Sequence, residues 1–298
     1  MKCSWRVYGA ISLLGACCLV GSACGGDPKD VRRPSNGGGG GTVQPEDAGD
    51  GDVGSSEPGP NRKPTSRHEV EIIPGPADAA PDAPGVIRGV VLFEGEPPAR
   101  KVIKIAGGGC QHEGDPQLKE DLIVTDGRVA LAYVYVSKGL AEEERPVPEE
   151  PVYLDQVGCM YSPHVICVQL GQKLLVRNSD TTLHNVNWPG GNKMQPAGSK
   201  PLEVVYDRPG VGVFYRCDIH PWMSAFVCVA DHPFQQVTGE DGAFSLPEIP
   251  PGPYELVLWT EKFTNDRGLP AFEVPPGGEV VVTFRLSADS GRRRRRGR

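Results

Sequence analysis

The sequence predicts an all-β protein built from β-sandwiches. From Gly85 onward, short runs of Val, Ile, Leu and aromatic residues are separated by Gly and Pro, which is typical of strands joined by turns. No long segment repeats its apolar residues at helical spacing. The 298 residues leave room for about two modest domains once the two ends are set aside. Many short strands with regular turns indicate sandwiches.

The chain begins with residues 1–24, which read as a signal peptide. Lys2 and Arg6 give a positive start, and the apolar run at 7–20 is rich in Ala, Leu and Gly. That run is too short for a comfortable membrane span. We therefore expect export, to the periplasmic side or the surface of a bacterial membrane.

The signal ends in a stretch that resembles the cleavage box of bacterial lipoproteins, Val-Gly-Ser-Ala-Cys at 20–24. The resemblance implies that Cys24 carries a lipid anchor and ties the mature chain to a membrane. The box departs from the usual pattern at Gly21, where Leu or Val is typical. A second box ending at Cys17 would cut the apolar run short, and secretion without lipid is the remaining alternative.

Residues 25–84 predict a disordered linker, and residues 289–298 form a basic tail. The linker is poor in bulky apolar residues and rich in Gly, Pro, Asp and Ser, so it buries too little surface to offset its chain entropy. The tail is rich in Arg, and a solvated charge run is its simplest interpretation; binding to anionic lipid, polyanions or the acidic body is the alternative. Otherwise the formal charge of −7 gives no indication of nucleic-acid binding.

Between the linker and the tail, runs rich in β-branched and aromatic residues predict the strands. In chain order they lie at 86–93, 129–136, 165–168, 173–177, 211–215, 226–229, 254–259 and 279–286.

The most informative stretch is Tyr-Arg-Cys-Asp-Ile-His-Pro-Trp-Met at 215–223. It places Cys217, His220 and Met223 in one short loop, and His184 offers a second imidazole from further upstream. Two imidazoles and a thiolate with a weak axial thioether are the ligands of a blue-copper electron-transfer site. The residues therefore predict one type 1 copper ion and a protein that carries single electrons.

Residues 151–232 resemble the cupredoxin family. The family motifs occur in order: Pro-x-x-Ile-x-Val-x-x-Gly at 163–171, Asn-x-Asp at 178–180, His-Asn-Val at 184–186 and Cys-x-x-His-x-x-Met at 217–223. The last spacing is the short form seen in amicyanin, whereas plastocyanin and pseudoazurin have a longer spacing between His and Met. The resemblance implies a Greek-key β-sandwich in which those two His, the Cys and the Met bind copper.

The same resemblance implies roles for the neighbours of the ligands. In the family, the Asn after the upstream His ties that strand to the Cys loop, which assigns Asn185 to ligand orientation. Pro221 and Trp222 match an apolar rim where the downstream imidazole nears the surface. An electron is then expected to pass through His220 to a redox partner protein at a small, weak interface. The alternative is that Trp222 only packs the loop.

A second resemblance is to the carboxypeptidase regulatory-like (transthyretin-like) fold. It is carried by Val-Thr-Gly-Glu-Asp-Gly-Ala-Phe at 237–244 and Pro-Pro-Gly-Pro-Tyr at 250–254. Gly239 stands where the family usually has Asp, and both residue types suit a turn. The opening strand of that fold is similar to 87–95, far upstream.

The simplest layout inserts the cupredoxin-like 151–232 into one transthyretin-like sandwich formed by 85–150 and 233–288. Three units in a row are the alternative. The whole arrangement resembles secreted bacterial proteins described as methylamine-utilisation-like or plastocyanin-like.

Four further cysteines, Cys110, Cys159, Cys167 and Cys228, predict disulfides in an oxidising compartment. The family pattern points the neighbours of Cys167 and Cys228 into the core, so both cysteines are expected to face outward. A bridge between them across neighbouring strands is preferred to two free thiols buried beneath the second domain. Pairing of Cys110 with Cys159 is preferred to a second metal site that would include His112.

The residues favour an electron carrier over an enzyme. Copper oxidases and nitrite reductases need additional copper held by further His, whereas this chain has six His in all. Cys217 is flanked by Arg216 and Asp218 rather than by His, and the loop has no second Cys for a dinuclear site. The second hypothesis is a surface lipoprotein that binds copper, carbohydrate or protein without a redox role.

Overall fold

The computed structural model describes residues 65–105, 107, 109–110, 116–143, 145–263 and 268–288. Within these residues the protein is all-β, which confirms the predicted fold class. The same part of the chain has no helix that could span a membrane. The signal peptide with Cys24, the first part of the linker and the basic tail lie outside the described residues.

The strands are numbered in chain order. They are β1 (Thr65–Ile73), β2 (Gly85–Glu94), β3 (Ile123–Thr125), β4 (Arg128–Ala130), β5 (Tyr133–Lys138), β6 (Val152–Val157), β7 (Met160–Ser162), β8 (Val165–Gln169), β9 (Leu174–Asn178), β10 (His184–Trp188), β11 (Gly191–Gln195), β12 (Leu202–Val204), β13 (Gly210–Arg216), β14 (Ser224–Ala230), β15 (Gln235–Val237), β16 (Ala243–Ile249), β17 (Gly252–Trp259), β18 (Phe272–Val274) and β19 (Glu279–Ser287).

Strands from both ends of the described chain build one sandwich. Its larger sheet has the order β1-β19-β2-β4-β3, with β16 also paired to β2, and its smaller sheet has the order β15-β5-β17-β18. Alternate side chains of the two sheets meet in a common core that includes Ile87, Leu256 and Phe284, each fully buried. Because β2 lies parallel to β19, the first and last parts of this region share one sheet.

The middle of the chain builds the second sandwich, from β6 to β14. One sheet has the order β11-β10-β13-β14-β8 and the other the order β12-β9-β6-β7. Leu154, Val176, Tyr215 and Val227 are fully buried in the core between them. The loops at one end of β10, β13 and β14 carry the residues singled out as metal ligands.

The predicted linker extends too far, because β1 falls within residues 25–84. β1 pairs antiparallel with β19 along its whole length, from Thr65 opposite Ser287 to Ile73 opposite Glu279. Its polar composition resembles a linker because one edge strand needs little buried side-chain surface. Backbone hydrogen bonds to β19 hold it instead.

Side chains connect the two sandwiches. Gln235 donates its amide N–H to the backbone oxygen of Val168 at 2.9 Å, and the rings of Phe226 and Trp259 lie 5.3 Å apart. His164 of the second sandwich contacts Glu261 of the first through Nε2 and Oε2 at 2.8 Å. The first sandwich therefore covers the outer face of β8 and β14.

The disulfide predicted between Cys167 and Cys228 is wrong, because both are free thiols. The two residues lie directly opposite each other on the parallel strands β8 and β14. The sulfur of Cys228 accepts a hydrogen bond from Gly212 N at 3.4 Å. Cys228 is fully buried, which matches the alternative of a buried free thiol beneath the second domain, whereas Cys167 is half-buried.

Candidate metal centre

The strand order explains why the four predicted ligands come together. His184 is the first residue of β10, Cys217 directly follows β13, and Met223 directly precedes β14. Since β13 runs antiparallel to both β10 and β14, the end of β13 lies beside the starts of its two neighbours. The loop 217–223 is closed by two backbone hydrogen bonds, from Cys217 N to Met223 O at 3.2 Å and from Met223 N to His220 O at 2.9 Å.

The donor atoms of three of these residues converge. His184 Nδ1 and His220 Nδ1 lie 2.9 Å apart, and Cys217 Sγ lies 3.8 Å from His220 Nδ1. All three donor atoms fall within 4.8 Å of one another. Imidazole nitrogens bound at ~2.0 Å to one ion come within roughly 3 Å of each other. The spacing therefore suits three ligands of a single ion.

The centre is closed to solvent. His184 and Met223 are 0% exposed, and Cys217 and His220 are 1% exposed. A buried, rigid shell keeps water away from a metal ion and limits the movement of its ligands.

Asp180 sets the orientation of the His184 ring. Its Oδ2 lies 2.8 Å from His184 Nε2, so Nε2 carries the ring proton and donates it to the carboxylate. The other ring nitrogen, Nδ1, then presents its lone pair toward His220 and Cys217. The sequence contained Asp180 in its Asn-x-Asp motif, but no pattern indicated that this carboxylate contacts the upstream ligand.

The surroundings of Cys217 favour its thiolate. Burial opposes ionisation, but the neighbouring His184 imidazole and hydrogen bonds from the backbone N–H groups of Asn185, His220 and Ile219 outweigh it and lower the pKa of Cys217 below its ordinary value. The Asn185 N–H lies 3.4 Å from the sulfur. A thiolate is the form that binds metal.

Asn185 also joins β10 to the Cys loop through its side chain. Its Oδ1 accepts a hydrogen bond from Asp218 N at 2.6 Å. The carboxylate of Asp218 in turn accepts hydrogen bonds from Asn187 and Asn192, which, together with Asn185 and Arg216, lower the pKa of Asp218. The sequence resemblance assigned Asn185 to this place, whereas the two further Asn and Asp218 were not singled out.

Pro221 and Trp222, the predicted electron-exit patch, differ in exposure. Pro221 is exposed, whereas Trp222 is half-buried and donates its indole N–H to the backbone oxygen of Cys159 at 3.0 Å. The packing role considered for Trp222 is therefore present in the structure.

Other apolar side chains beside the centre face solvent. Leu183 precedes one ligand and is 41% exposed, Ile219 precedes another and is 39% exposed, and Met194, opposite Asn185 on β11, is 58% exposed. Single apolar residues next to ligands form no pattern, so the sequence does not predict this exposed group.

Cys110 and Cys159 form a disulfide, with their Cα atoms 5.8 Å apart. Cys159 lies in the turn between β6 and β7 and belongs to the core of the second sandwich. Within the described residues, the other candidate metal group combines Cys159 with Asp180 and His184. Because the Cys159 sulfur is already in a disulfide, that group does not offer a thiolate.

The donor set fits copper. A thiolate, two imidazoles and a thioether are softer ligands than the oxygens that Mg²⁺ or Ca²⁺ prefer, and this combination is typical of blue-copper sites. The residues that would hold the ion are His184, Cys217, His220 and the buried Met223.

No protein-family model matches this chain, and no curated protein matches it either. Among solved structures, a purple cupredoxin from Nitrosopumilus maritimus is 23% identical with a TM-score of 0.24, over 26% of this chain and 99% of that chain. Amicyanin from Paracoccus versutus is 20% identical with a TM-score of 0.25, over 33% of this chain and 97% of that chain.

A copper-containing nitrite reductase from Thermus scotoductus is 20% identical with a TM-score of 0.26, over 32% of this chain and 26% of that chain. These similarities cover part of the chain only, and the transthyretin-like sandwich stays a prediction. The chain is thus similar, over about a third of its length, to cupredoxins.

Proposed function

We propose that this protein is a type 1 copper protein that carries single electrons and is not an enzyme. The observation that carries the proposal is the convergence of His184 Nδ1, His220 Nδ1 and Cys217 Sγ within 4.8 Å in a site without solvent exposure. Copper bound there would supply one-electron exchange between two oxidation states.

The chain's own residues would do three things for this activity. Cys217 would supply a thiolate, which its hydrogen bonds favour by lowering its pKa. Asp180 would hold the His184 ring so that Nδ1 faces the centre. The two backbone hydrogen bonds of the 217–223 loop would restrain His220 and Met223, so that the ligands move little during electron transfer.

The buried and closed site supports a carrier rather than a catalyst. A copper enzyme needs a position at which substrate reaches the metal, and all four ligands here are enclosed. In the part of the chain that the structure describes, the other group of donor side chains shares His184 with the first and contains the disulfide-bonded Cys159.

An electron would leave through the thin apolar layer around the centre. Leu183 and Ile219 adjoin two ligands, and both are exposed, as is Pro221. A redox partner protein would dock against this surface transiently, because a small interface permits rapid release. We further propose that the signal peptide and Cys24 place this carrier on the outer side of a bacterial membrane.

Reversible redox cycling of the copper-loaded chain tests the proposal. We expect an intense visible thiolate-to-copper charge-transfer band that bleaches on reduction and returns on reoxidation. The matched variants are Cys217→Ser, which should lose the band while the protein stays folded, and Cys167→Ser, which should keep it. Tight copper binding without reversible cycling would instead favour a copper-binding lipoprotein without a redox role.

A further inference from the structure

The turn between β6 and β7 contacts both segments that carry the metal ligands. Gly158 N donates a hydrogen bond to Asp180 Oδ1 at 2.6 Å, and Cys159 N donates one to Asp180 Oδ2 at 2.9 Å. Both turn residues have positive φ, 62° for Gly158 and 56° for Cys159. That conformation directs their two successive N–H groups toward the same carboxylate.

Asp180 therefore accepts three N–H groups, two from the turn and one from His184 Nε2. The turn fixes the carboxylate, and the carboxylate fixes the ring. Partners of this kind determine which nitrogen of a ligating His is free to bind metal.

The same turn also contacts the loop that carries Cys217, His220 and Met223. The backbone oxygen of Cys159 accepts the indole N–H of Trp222 at 3.0 Å. Trp222 lies directly before Met223 and two residues after His220, so this bond restrains the part of the loop that carries two ligands. Residue 159 thus connects, through its N–H and its oxygen, to both sides of the centre.

A segment outside the second sandwich fastens the turn. Cys110 is bonded covalently to Cys159, and Gln117 donates a side-chain N–H to the backbone oxygen of Gly158 at 2.8 Å. Cys110 and Gln117 belong to the connection between β2 and β3 of the first sandwich. The first sandwich is in this way attached to the metal centre through two adjacent residues.

We propose that Asp180 and the 158–159 turn are positioning elements for the copper ligands, and that the Cys110–Cys159 disulfide keeps them in place. The proposal rests on the proposed function and deepens it. It assigns the disulfide a role in metal retention that is separate from its effect on overall stability.

Removal of the disulfide should lower the affinity for copper specifically. Without the disulfide, the turn keeps its place in the β6–β7 hairpin but loses its covalent attachment to the connection between β2 and β3. A small displacement of the turn then shifts Asp180 and, through their hydrogen bond, the His184 ring. The same displacement shifts Trp222, and with it the Cys loop, through the hydrogen bond between Trp222 and Cys159. Loss of partners that orient metal ligands lowers metal affinity by about 10–100-fold.

The test uses the full chain and two kinds of variant. Asp180→Asn keeps the size of the side chain but leaves one acceptor oxygen for three N–H groups, and Cys110→Ser with Cys159→Ser removes the disulfide. Controls are Asp207→Asn, at an exposed carboxylate of the same sandwich, and Cys167→Ser, at a free thiol. Circular dichroism verifies folding.

Two readouts are made on each protein. Competition with a copper chelator measures copper affinity, for which we expect about a 10–100-fold loss in both test variants and none in the controls. Nitrogen-15 NMR of the metal-free protein reports the His184 ring, which should carry its proton on Nε2 in the wild type and populate both tautomers in Asp180→Asn.

The outcomes separate the two proposals. A wild-type chain without a charge-transfer band contradicts the proposed function, while the NMR readout still tests the Asp180 contact in the metal-free protein. A wild-type chain with the band, accompanied by folded variants of unchanged copper affinity and unchanged His184 tautomer, overturns the positioning role. If the cysteine variant does not fold, Asp180→Asn decides the question alone.

Discussion

The proposed centre comprises two imidazoles, one thiolate and one thioether, and each was predictable from the sequence because the donor type itself is the signal. Cys217, His220 and Met223 lie close together in one loop, and the predicted His184 begins the strand β10, which pairs with β13. Asp180 was not predictable in its role, since its contact with His184 Nε2 depends on how the turn between β9 and β10 folds. A carboxylate four residues before a His also occurs at solvent-exposed positions and in turns, so the spacing alone does not predict this contact.

Met223→Leu tests whether the Met223 thioether would be the fourth ligand of the proposed centre. Leu fills a similar volume but has no donor atom, so the copper-loaded variant should keep its visible band and should have a higher reduction potential. The higher potential follows because the thioether stabilises the oxidised ion more than the reduced one. Spectroelectrochemistry measures both properties.

Met194→Leu is the matched control, because Met194 is 58% exposed on β11. Its potential should equal that of the wild type. Loss of the band in Met223→Leu, or equal shifts in both variants, would contradict an axial role for Met223.

In β8 and β14, the alternation of apolar residues predicts which side chains enter the core but not what covers the opposite face. The alternation of apolar residues correctly places Ile166, Val168 and Val227 in the core. It does not decide between a bridge and two free thiols buried beneath the second domain, and the structure has free thiols, of which Cys228 is fully buried. Which face of a strand meets a second domain is decided by packing between domains, which the period of a single strand does not encode.

Thiol mapping tests the cysteine assignment of these strands. Among the five cysteines of the described residues, alkylation of the denatured, metal-free and non-reduced protein should label Cys167, Cys217 and Cys228 and should leave Cys110 and Cys159 unlabelled, because of these five only the last two are bonded to each other. The rates of alkylation in the folded protein test the burial of the two thiols. Cys167 should react slowly at pH 8, since burial raises its pKa to about 11. Cys228 should react more slowly than Cys167, because burial raises the pKa of Cys228 by more. A peptide containing a Cys167–Cys228 bridge would contradict the structure.

On the scale of the whole molecule, the sequence predicts the all-β class but not every strand. The residues 85–150 and 233–288, predicted to form two halves of one sandwich, contribute β2 and β19 to the same sheet. β1 was missed because it is a polar edge strand held by backbone hydrogen bonds. The connection between β2 and β3 was also unforeseen as a contact to the metal centre, because that contact runs through the Cys110–Cys159 disulfide.

The ion pair between His164 and Glu261 predicts a pH dependence of the contact between the sandwiches. Burial lowers the pKa of His164, but the hydrogen bond to Glu261 and the charges of Glu261 and Glu120 outweigh it and raise the pKa above 6.5. A group whose folded pKa is raised stabilises fully below its unfolded pKa and loses this contribution as pH rises through the folded value. The free energy of unfolding should therefore fall as pH rises above about 6.5.

Glu261→Gln isolates this contribution. The amide removes the charge that raises the pKa of His164, so the unfolding free energy should change less across this pH range than in the wild type. Denaturant titrations at several pH values measure it, with the exposed Glu240→Gln as control. Equal pH profiles for Glu261→Gln and the wild type would exclude the ion pair as the cause.

Electron paramagnetic resonance of the full chain loaded with Cu²⁺, together with its copper content, tests most directly whether the buried side chains share one ion. We predict one copper per chain and the narrow parallel hyperfine splitting that strong overlap between copper and the Cys217 sulfur produces. A wide splitting that is unchanged in Cys217→Ser would show that copper binds elsewhere, and it would contradict the assignment of this centre.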